Sequence, residues 1–162
     1  DKSATLATPL NHEAVLIAIE NVPQSILQAP HIGDHLPMYA TAAGKSILAH
    51  RSEQEIDQFF NEVELKPITP HTITDPGILL EELKEIRNGA FAYSWQGFRE
   101  HVVAVGAPVF NMNNKAVASL SVSVISMDAK PGLLKQMEKS LASVVRTFSR
   151  DLGYESAAIQ NV

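Results

Sequence analysis

The sequence contains no cysteine, which removes disulfide bridges, thiol nucleophiles and cysteine-ligated zinc at a stroke. It has no uninterrupted apolar run near the roughly 18 residues needed to span a bilayer. Basic charge is also scarce. Lys and Arg number 13 against 18 Asp and Glu, for a formal net charge of −5, and they are scattered along the chain. A nucleic-acid interface needs a basic patch or stripe, so these 162 residues are not expected to grip DNA by themselves. No metal site is expected from the six histidines. No Gly-x-Ser-x-Gly elbow occurs, so nucleophilic catalysis finds no support. The chain begins Asp1-Lys2-Ser3, without an initiator Met or a signal-like start; it is expected to be a piece of a longer, cytoplasmic protein.

One short stretch looks chemical. Gly44-Lys45-Ser46 in "ATAAGKSILAH" has the ending of a phosphate-binding loop, but that loop needs a glycine where Tyr39 stands. Ala42 and Ala43 do not supply the backbone freedom such a loop requires. What remains is a small-residue turn opening a helix, with free N–H groups able to face an anion or a carbonyl.

The rest of the chain reads as one domain of mixed class. "SATLAT" and "EAVLIAIEN" form a hairpin around Pro9-Leu10-Asn11-His12, and "SILQAP" is a third short strand. A helix over residues 41–50 follows. Ser52 and Glu55 then stand at capping-box spacing before a second helix, with Ile56, Phe59 and Phe60 as its buried side. "TDPGILLEELKEIRNG" is a third helix, capped by Asp75, with Pro76 at its first position and Leu79, Leu83 and Ile86 inward. Its acidic pair Glu81 and Glu82 reads as solvated charge. "FAYSW", "HVVAVGAPVF" and "AVASLSVSVIS" are strands, the last two joined by the turn "NMNNK". Tyr93 and Trp95 are expected in the core or an interface. A final amphipathic helix carries Leu134, Met137, Leu141, Val144, Phe148 and Leu152 on one stripe and ends at Gly153. Strands, helices, strands and a helix in that order imply a mostly antiparallel sheet covered by helices.

The penultimate element is the most informative. Strand alternation puts Ser119, Ser121 and Ser123 on one face and Leu120, Val122 and Val124 on the other. A serine face either packs very closely against a neighbour or lines a cavity where hydroxyls meet a ligand.

"LPMYATAAGKSILAH", "TITDPGILLEELKEIRNGAF" and "VAVGAPVFNMNNKAVASLSVS", in that order and spacing, resemble the C-terminal effector-binding domain of the IclR-type bacterial transcription regulators. The resemblance runs from about Ala14 to Tyr154. It implies a GAF-like α/β (α+β) fold, a curved antiparallel sheet with helices around a small-molecule pocket. It further implies a sensor rather than an enzyme, with no cofactor. A winged helix-turn-helix DNA-binding domain would lie N-terminal to this chain, and family members assemble as dimers or tetramers. A dimerisation module with a vestigial pocket is the alternative, and a small-molecule enzyme on the same fold a more distant one.

In acid-binding members the effector meets backbone N–H groups that fall on Ala42 and Ala43. It also meets two strand serines, which fall on Ser121 and Ser123, and groups that fall on Ser94, Val102 and Ala104. Gln28 and Met38 are expected to flank the pocket, and Lys45 to point to the surface or an ion pair. Three departures stand out: Ser94 replaces a carboxylate, Ala104 a frequent Cys, and Val103 stands where Arg is frequent. Fewer polar groups imply a roomier, more apolar pocket, and hence an effector larger than a two- or three-carbon oxoacid, with an aromatic or aliphatic tail.

Overall fold

A computed structural model describes residues 2–20 and 30–155. Within them the elements are β1 (Ser3–Leu10), β2 (Glu13–Glu20), β3 (His35–Pro37), α1 (Ala42–Leu48), α2 (Glu53–Glu62), α3 (Pro76–Arg87), β4 (Ala92–Trp95), β5 (Val102–Phe110), β6 (Ala116–Ile125) and α4 (Pro131–Asp151). A turn of 3-10 helix, Ser126–Asp128, leads into α4. The strands form one curled sheet in the order β3-β2-β1-β6-β5-β4, every neighbouring pair antiparallel. The N-terminal hairpin thus joins the C-terminal one through β1 and β6.

The hairpin turn is tighter than the sequence suggests, because β1 continues through Pro9 and Leu10 and leaves only Asn11 and His12 between strands. Asn11 takes φ 54 there, a left-handed value that Asn tolerates better than most residues. Of the expected strand at "SILQAP", residues 25–29 lie outside the described residues. The strand that pairs with β2 is instead His35–Pro37; three residues ending in proline leave no alternation to read.

The helix signals translate directly. Ser52 Oγ accepts from the Glu55 N–H and the Glu55 carboxylate accepts from the Ser52 N–H, the full capping box of α2. Asp75 caps α3, and Leu79, Leu83 and Ile86 are buried. Ile56 and Phe59 of α2 are buried and Phe60 packs at the margin of the same core. The stripe of α4 needs correction at its C-terminal half. Leu134, Met137 and Leu141 are buried, but Val144 is 50% exposed and Leu152 40%. The inward side drifts to Val145 and Ser149 instead. Ser149 belongs there because its Oγ accepts the Phe110 N–H at 3.0 Å, which lets a polar residue hold an inward position.

The two faces of the sheet are built from different residues. Val103, Val105 and Ala107 of β5, with Leu120, Val122 and Val124 of β6, pack on Leu134, Met137 and Leu141 of α4. The opposite face carries α1, and its residues are small. A Cβ added at Gly106 of β5 would lie 2.6 Å from the Ala42 carbonyl oxygen, and one added at Gly44 of α1 would lie 2.4 Å from Met38 Cα. Backbone touches backbone at both places, so only glycine fits. We expect Gly106→Ala to destabilise the fold by about 1–3 kcal/mol, read by urea denaturation; an unchanged midpoint would contradict this packing.

The capping box also has a pH signature. The Glu55 carboxyl is held down from 4.5 to about 2, chiefly by the Ser52 backbone and hydroxyl donors. A carboxylate with a lowered folded pKa stabilises fully above the unfolded value, and the benefit fades as pH falls from about 4.5 toward about 2. Glu55→Gln should therefore flatten the acid limb of stability in that window; a parallel limb in thermal melts across pH would count against the assignment.

Candidate functional site

Antiparallel register brings the small residues of four strands into line. Ser3, Ser123, Ala104 and Ser94 face one another in one row across β1, β6, β5 and β4, and Thr5, Ser121, Gly106 and Ala92 make the next. Side chains this short leave space between sheet and helix wherever α1 does not descend. That space is a cavity of about 110 Å³, lined by Ser3, Thr5, Leu16, Pro30, Leu36, Thr41, Ala42, Ala43, Ser94, Phe98, Arg99, Val102, Ala104, Ser121 and Ser123. For scale, an apolar cavity of roughly 150 Å³ holds a benzene.

The start of α1 meets this cavity with donors. Thr41 caps the helix: its Oγ1 accepts the Gly44 N–H at 3.0 Å and donates to the Pro37 carbonyl. The Lys45 N–H is taken by the Thr41 carbonyl. Ala42 and Ala43, as the first two helical residues, have no acceptor within the helix. Hydroxyls complete the wall. Thr5 Oγ1 and Ser121 Oγ lie 2.8 Å apart, and Ser94 Oγ donates to the Ala40 carbonyl at 2.7 Å. Each hydroxyl has one proton and two lone pairs, so these pairings leave capacity to accept from, or rotate toward, a guest.

Ala42, Ala43, Ser94, Val102, Ala104, Ser121 and Ser123 thus share one wall. Met38 does not; it is buried in the core against α1. Gln28 lies outside the described residues. The serine face divides between its two readings. Ser119 is fully buried and accepts from Ser46 Oγ at 2.6 Å, a close helix-to-sheet contact, whereas Ser121 and Ser123 border the cavity. Sequence reasoning missed Ser3, Thr5, Thr41, Phe98 and Arg99. The first two reach the site only through β1–β6 pairing, and they make the wall more polar than the substitutions at Ser94 and Ala104 alone imply.

Lys45 and Glu82 correct the expectation of solvated charge on α3. Lys45 is only 3% exposed and its ammonium meets the Glu82 carboxylate at 2.5 Å. Burial lowers the Lys45 pKa, and the charge and hydrogen bond of Glu82 oppose that shift. Glu82 Oε2 is buried without a hydrogen-bond partner among the described residues. Glu81, by contrast, pairs with Lys84 at the surface. Tyr93 and Trp95 stack at 5.5 Å; the Tyr93 hydroxyl donates to Glu138 at 2.6 Å, while Trp95 stays exposed. Desolvation, reinforced by Glu138, raises the Tyr93 pKa. His31 and His35 stand four residues apart, but outside any helix, and no group of three His, Asp or Glu able to hold a metal exists among the described residues. Nor, among them, is any helix long and apolar enough to cross a membrane.

A curled antiparallel sheet, a short helix pressed on it through glycine, and a hydroxyl-lined cavity between them define a GAF-like α/β domain. Residues 1–153 match the model described as "Bacterial transcriptional regulator IclR C-terminal", and the chain belongs to that family, one of transcriptional regulators rather than enzymes. It is 27% identical over 154 residues to the HTH-type transcriptional regulator KipR of Bacillus subtilis (strain 168), covering 95% of this chain and 62% of KipR. The crystal structure of Thermotoga maritima IclR superposes with a TM-score of 0.90 at 33% identity, over 94% of this chain and 62% of that one. The inducer-binding domain of an Acinetobacter PobR double mutant, in complex with 3-hydroxybenzoic acid, gives 0.81 at 26% identity, over 91% and 87%. This chain therefore spans about 62% of the length of both KipR and the IclR chain.

Removing one partner of the Lys45–Glu82 pair should be asymmetric. Glu82→Ala strands a buried ammonium and should cost roughly 2–4 kcal/mol, discounted for the partial exposure of Glu82. Lys45→Met leaves a carboxylate that can turn to solvent, and should cost less. Equal losses in denaturant titrations would contradict the burial described for Lys45.

Proposed function

We propose that this chain is the effector-sensing part of a DNA-binding transcriptional regulator and that a small organic acid binds in the cavity beneath α1. The observation that carries this is the wall itself. Backbone donors at Ala42 and Ala43 face hydroxyls of Thr5, Ser94, Ser121 and Ser123 across a space of about 110 Å³. A helix start with oriented N–H groups favours negative charge, and the apolar stretch at Leu16, Leu36, Val102 and Ala104 suits a carbon skeleton. The aromatic acid in the PobR complex supports the same chemical class. The cavity is sized for a compact acid, or for the acid head of one with an apolar tail.

Occupancy would act on the rest of a longer protein. A winged helix-turn-helix domain N-terminal to this chain contacts DNA, two or four subunits assemble in the cytoplasm, and the effector biases their arrangement. It can do so only through a difference in affinity between two arrangements, and such coupling is typically about 1–3 kcal/mol.

A thermal-shift screen against small carboxylates, from glyoxylate and pyruvate through sugar acids to aromatic acids, followed by calorimetry, tests the reading. Ligand at about 100 times its Kd stabilises the native state by about 2.7 kcal/mol. Ser121→Ala and Ser123→Ala should each weaken binding by several-fold, on the order of one lost hydrogen bond, with little change in melting temperature. An unaltered Kd in the double variant would sink the site assignment. A stable oligomer that takes no ligand would identify a dimerisation module instead.

A further inference from the structure

We infer that Ser94 makes the cavity select acids that carry a hydrogen-bond donor, a hydroxyl or an amine, at the end away from the carboxylate; this rests on the organic-acid reading above and narrows its class of ligand. The reason lies in which hydroxyl protons on the wall are already committed.

A serine hydroxyl has one proton and two lone pairs, whereas a carbonyl oxygen can only accept. Ser94 Oγ stands 2.7 Å from the Ala40 carbonyl oxygen, so the Ser94 proton lies between them. Ala40 is only 3% exposed. Turning that proton toward a guest would strip a buried carbonyl of this bond, at a cost of about 1–3 kcal/mol. Ser94 therefore meets the cavity with lone pairs alone. Thr41 is in the same condition: its Oγ1 donates to the Pro37 carbonyl and accepts the Gly44 N–H, both at 3.0 Å, which leaves one lone pair. Both residues line the cavity. A ligand oxygen without a hydrogen gains nothing beside them, while an O–H or N–H gains a bond.

The opposite condition holds two strands away. Thr5 and Ser121 have two hydroxyl protons between them, and their 2.8 Å contact uses one. The other remains for an acceptor such as a carboxylate. Ser94 lies on β4 and Ser121 on β6, with β5 between them through the pairs Ser94–Ala104 and Gly106–Ser121. Two strand spacings put their backbones roughly 10 Å apart. A 2-hydroxy acid, with its hydroxyl next to its carboxylate, is too short to engage both. An acid whose hydroxyl lies several bonds away can do so, and the apolar lining at Leu16, Leu36, Val102 and Ala104 suits the skeleton that joins the two groups.

Sequence spacing marks Ser94 as a wall residue but not as an acceptor. Its partner Ala40 is 54 positions away, and only the fold shows where the proton goes.

The test is calorimetry with 3-hydroxy-, 3-amino-, 3-fluoro- and unsubstituted benzoate, and with 4-hydroxybutyrate against butyrate, on the wild-type chain, Ser94→Ala, Ser94→Cys and Ser121→Ala. Wild type should bind the hydroxy and amino acids about 10-fold more tightly than their counterparts without a donor, the scale of one hydrogen bond in a buried site. Ser94→Ala should bring that ratio to about 2-fold or below, and so should Ser94→Cys, which keeps the shape but offers only a weak acceptor. Ser121→Ala should weaken all the acids together and leave the ratio in place, and thermal melts establish that each variant is folded. A wild-type ratio near one, a ratio that survives both Ser94 variants, or failure of every one of these acids to bind overturns the role of Ser94. The sensor reading is judged separately: it stands if any small carboxylate binds and Ser121→Ala weakens that binding, whichever way the ratio falls.

Discussion

The contact on which the site depends is the descent of α1 onto β5 and β6. Gly106 lets the α1 backbone approach the β5 backbone at a distance no side chain would tolerate, and Ser46 and Ser119 meet there hydroxyl to hydroxyl. Close packing of this kind contributes through dispersion and through the avoidance of any void. It also fixes where the first turn of α1 points. With Ala42 held over Gly106, the N–H groups of that turn that have no acceptor within the helix have a defined position above the sheet rather than a choice of several.

The cavity is the other consequence of the same small residues. Where α1 touches the sheet, short side chains permit contact; in front of its first turn, the same rows of serine, threonine, alanine and glycine leave space. The opposite face, with Val103, Val105, Val122 and Val124 under α4, is filled and apolar. One sheet thus has a rigid side that stabilises and an under-filled side that can receive a guest. Since buried polar groups need partners, the hydroxyls there pair with each other or with backbone, as Thr5 does with Ser121 and Ser94 with Ala40.

Charge is distributed with equal economy. Lys45, beside the cavity in sequence, is turned away from it into a buried pair with Glu82 that joins α1 to α3. Removing it from the cavity leaves Arg99, from the loop after β4, as the cation on the wall among the described residues. The phosphate-loop lookalike in the sequence therefore has a structural lysine, and the cationic side chain at the site comes from an unremarked loop some fifty residues on.

Local chemistry was legible in the sequence wherever it is carried by neighbours along the chain. The capping box of Ser52 and Glu55, the Asp75 cap with Pro76 behind it, the Ser-x-Ser-x-Ser alternation and the three quoted family segments all depend on fixed short spacings, and so are visible in one dimension. The positions aligned from the family, Ala42, Ala43, Ser94, Val102, Ala104, Ser121 and Ser123, were nameable for that reason, although what they bind is a proposal. What tertiary structure decided is everything set by register and by loop direction. Pairing of β1 with β6 brought Ser3 and Thr5 to the wall, the drift of a long helix exposed Val144 and buried Ser149, and α3 packing turned Glu82 from solvent toward Lys45. Met38 went to the core, its backbone pressed beneath Gly44 of α1. None of these follows from spacing, because each depends on which distant segment lies opposite, and that is settled only when the sheet closes.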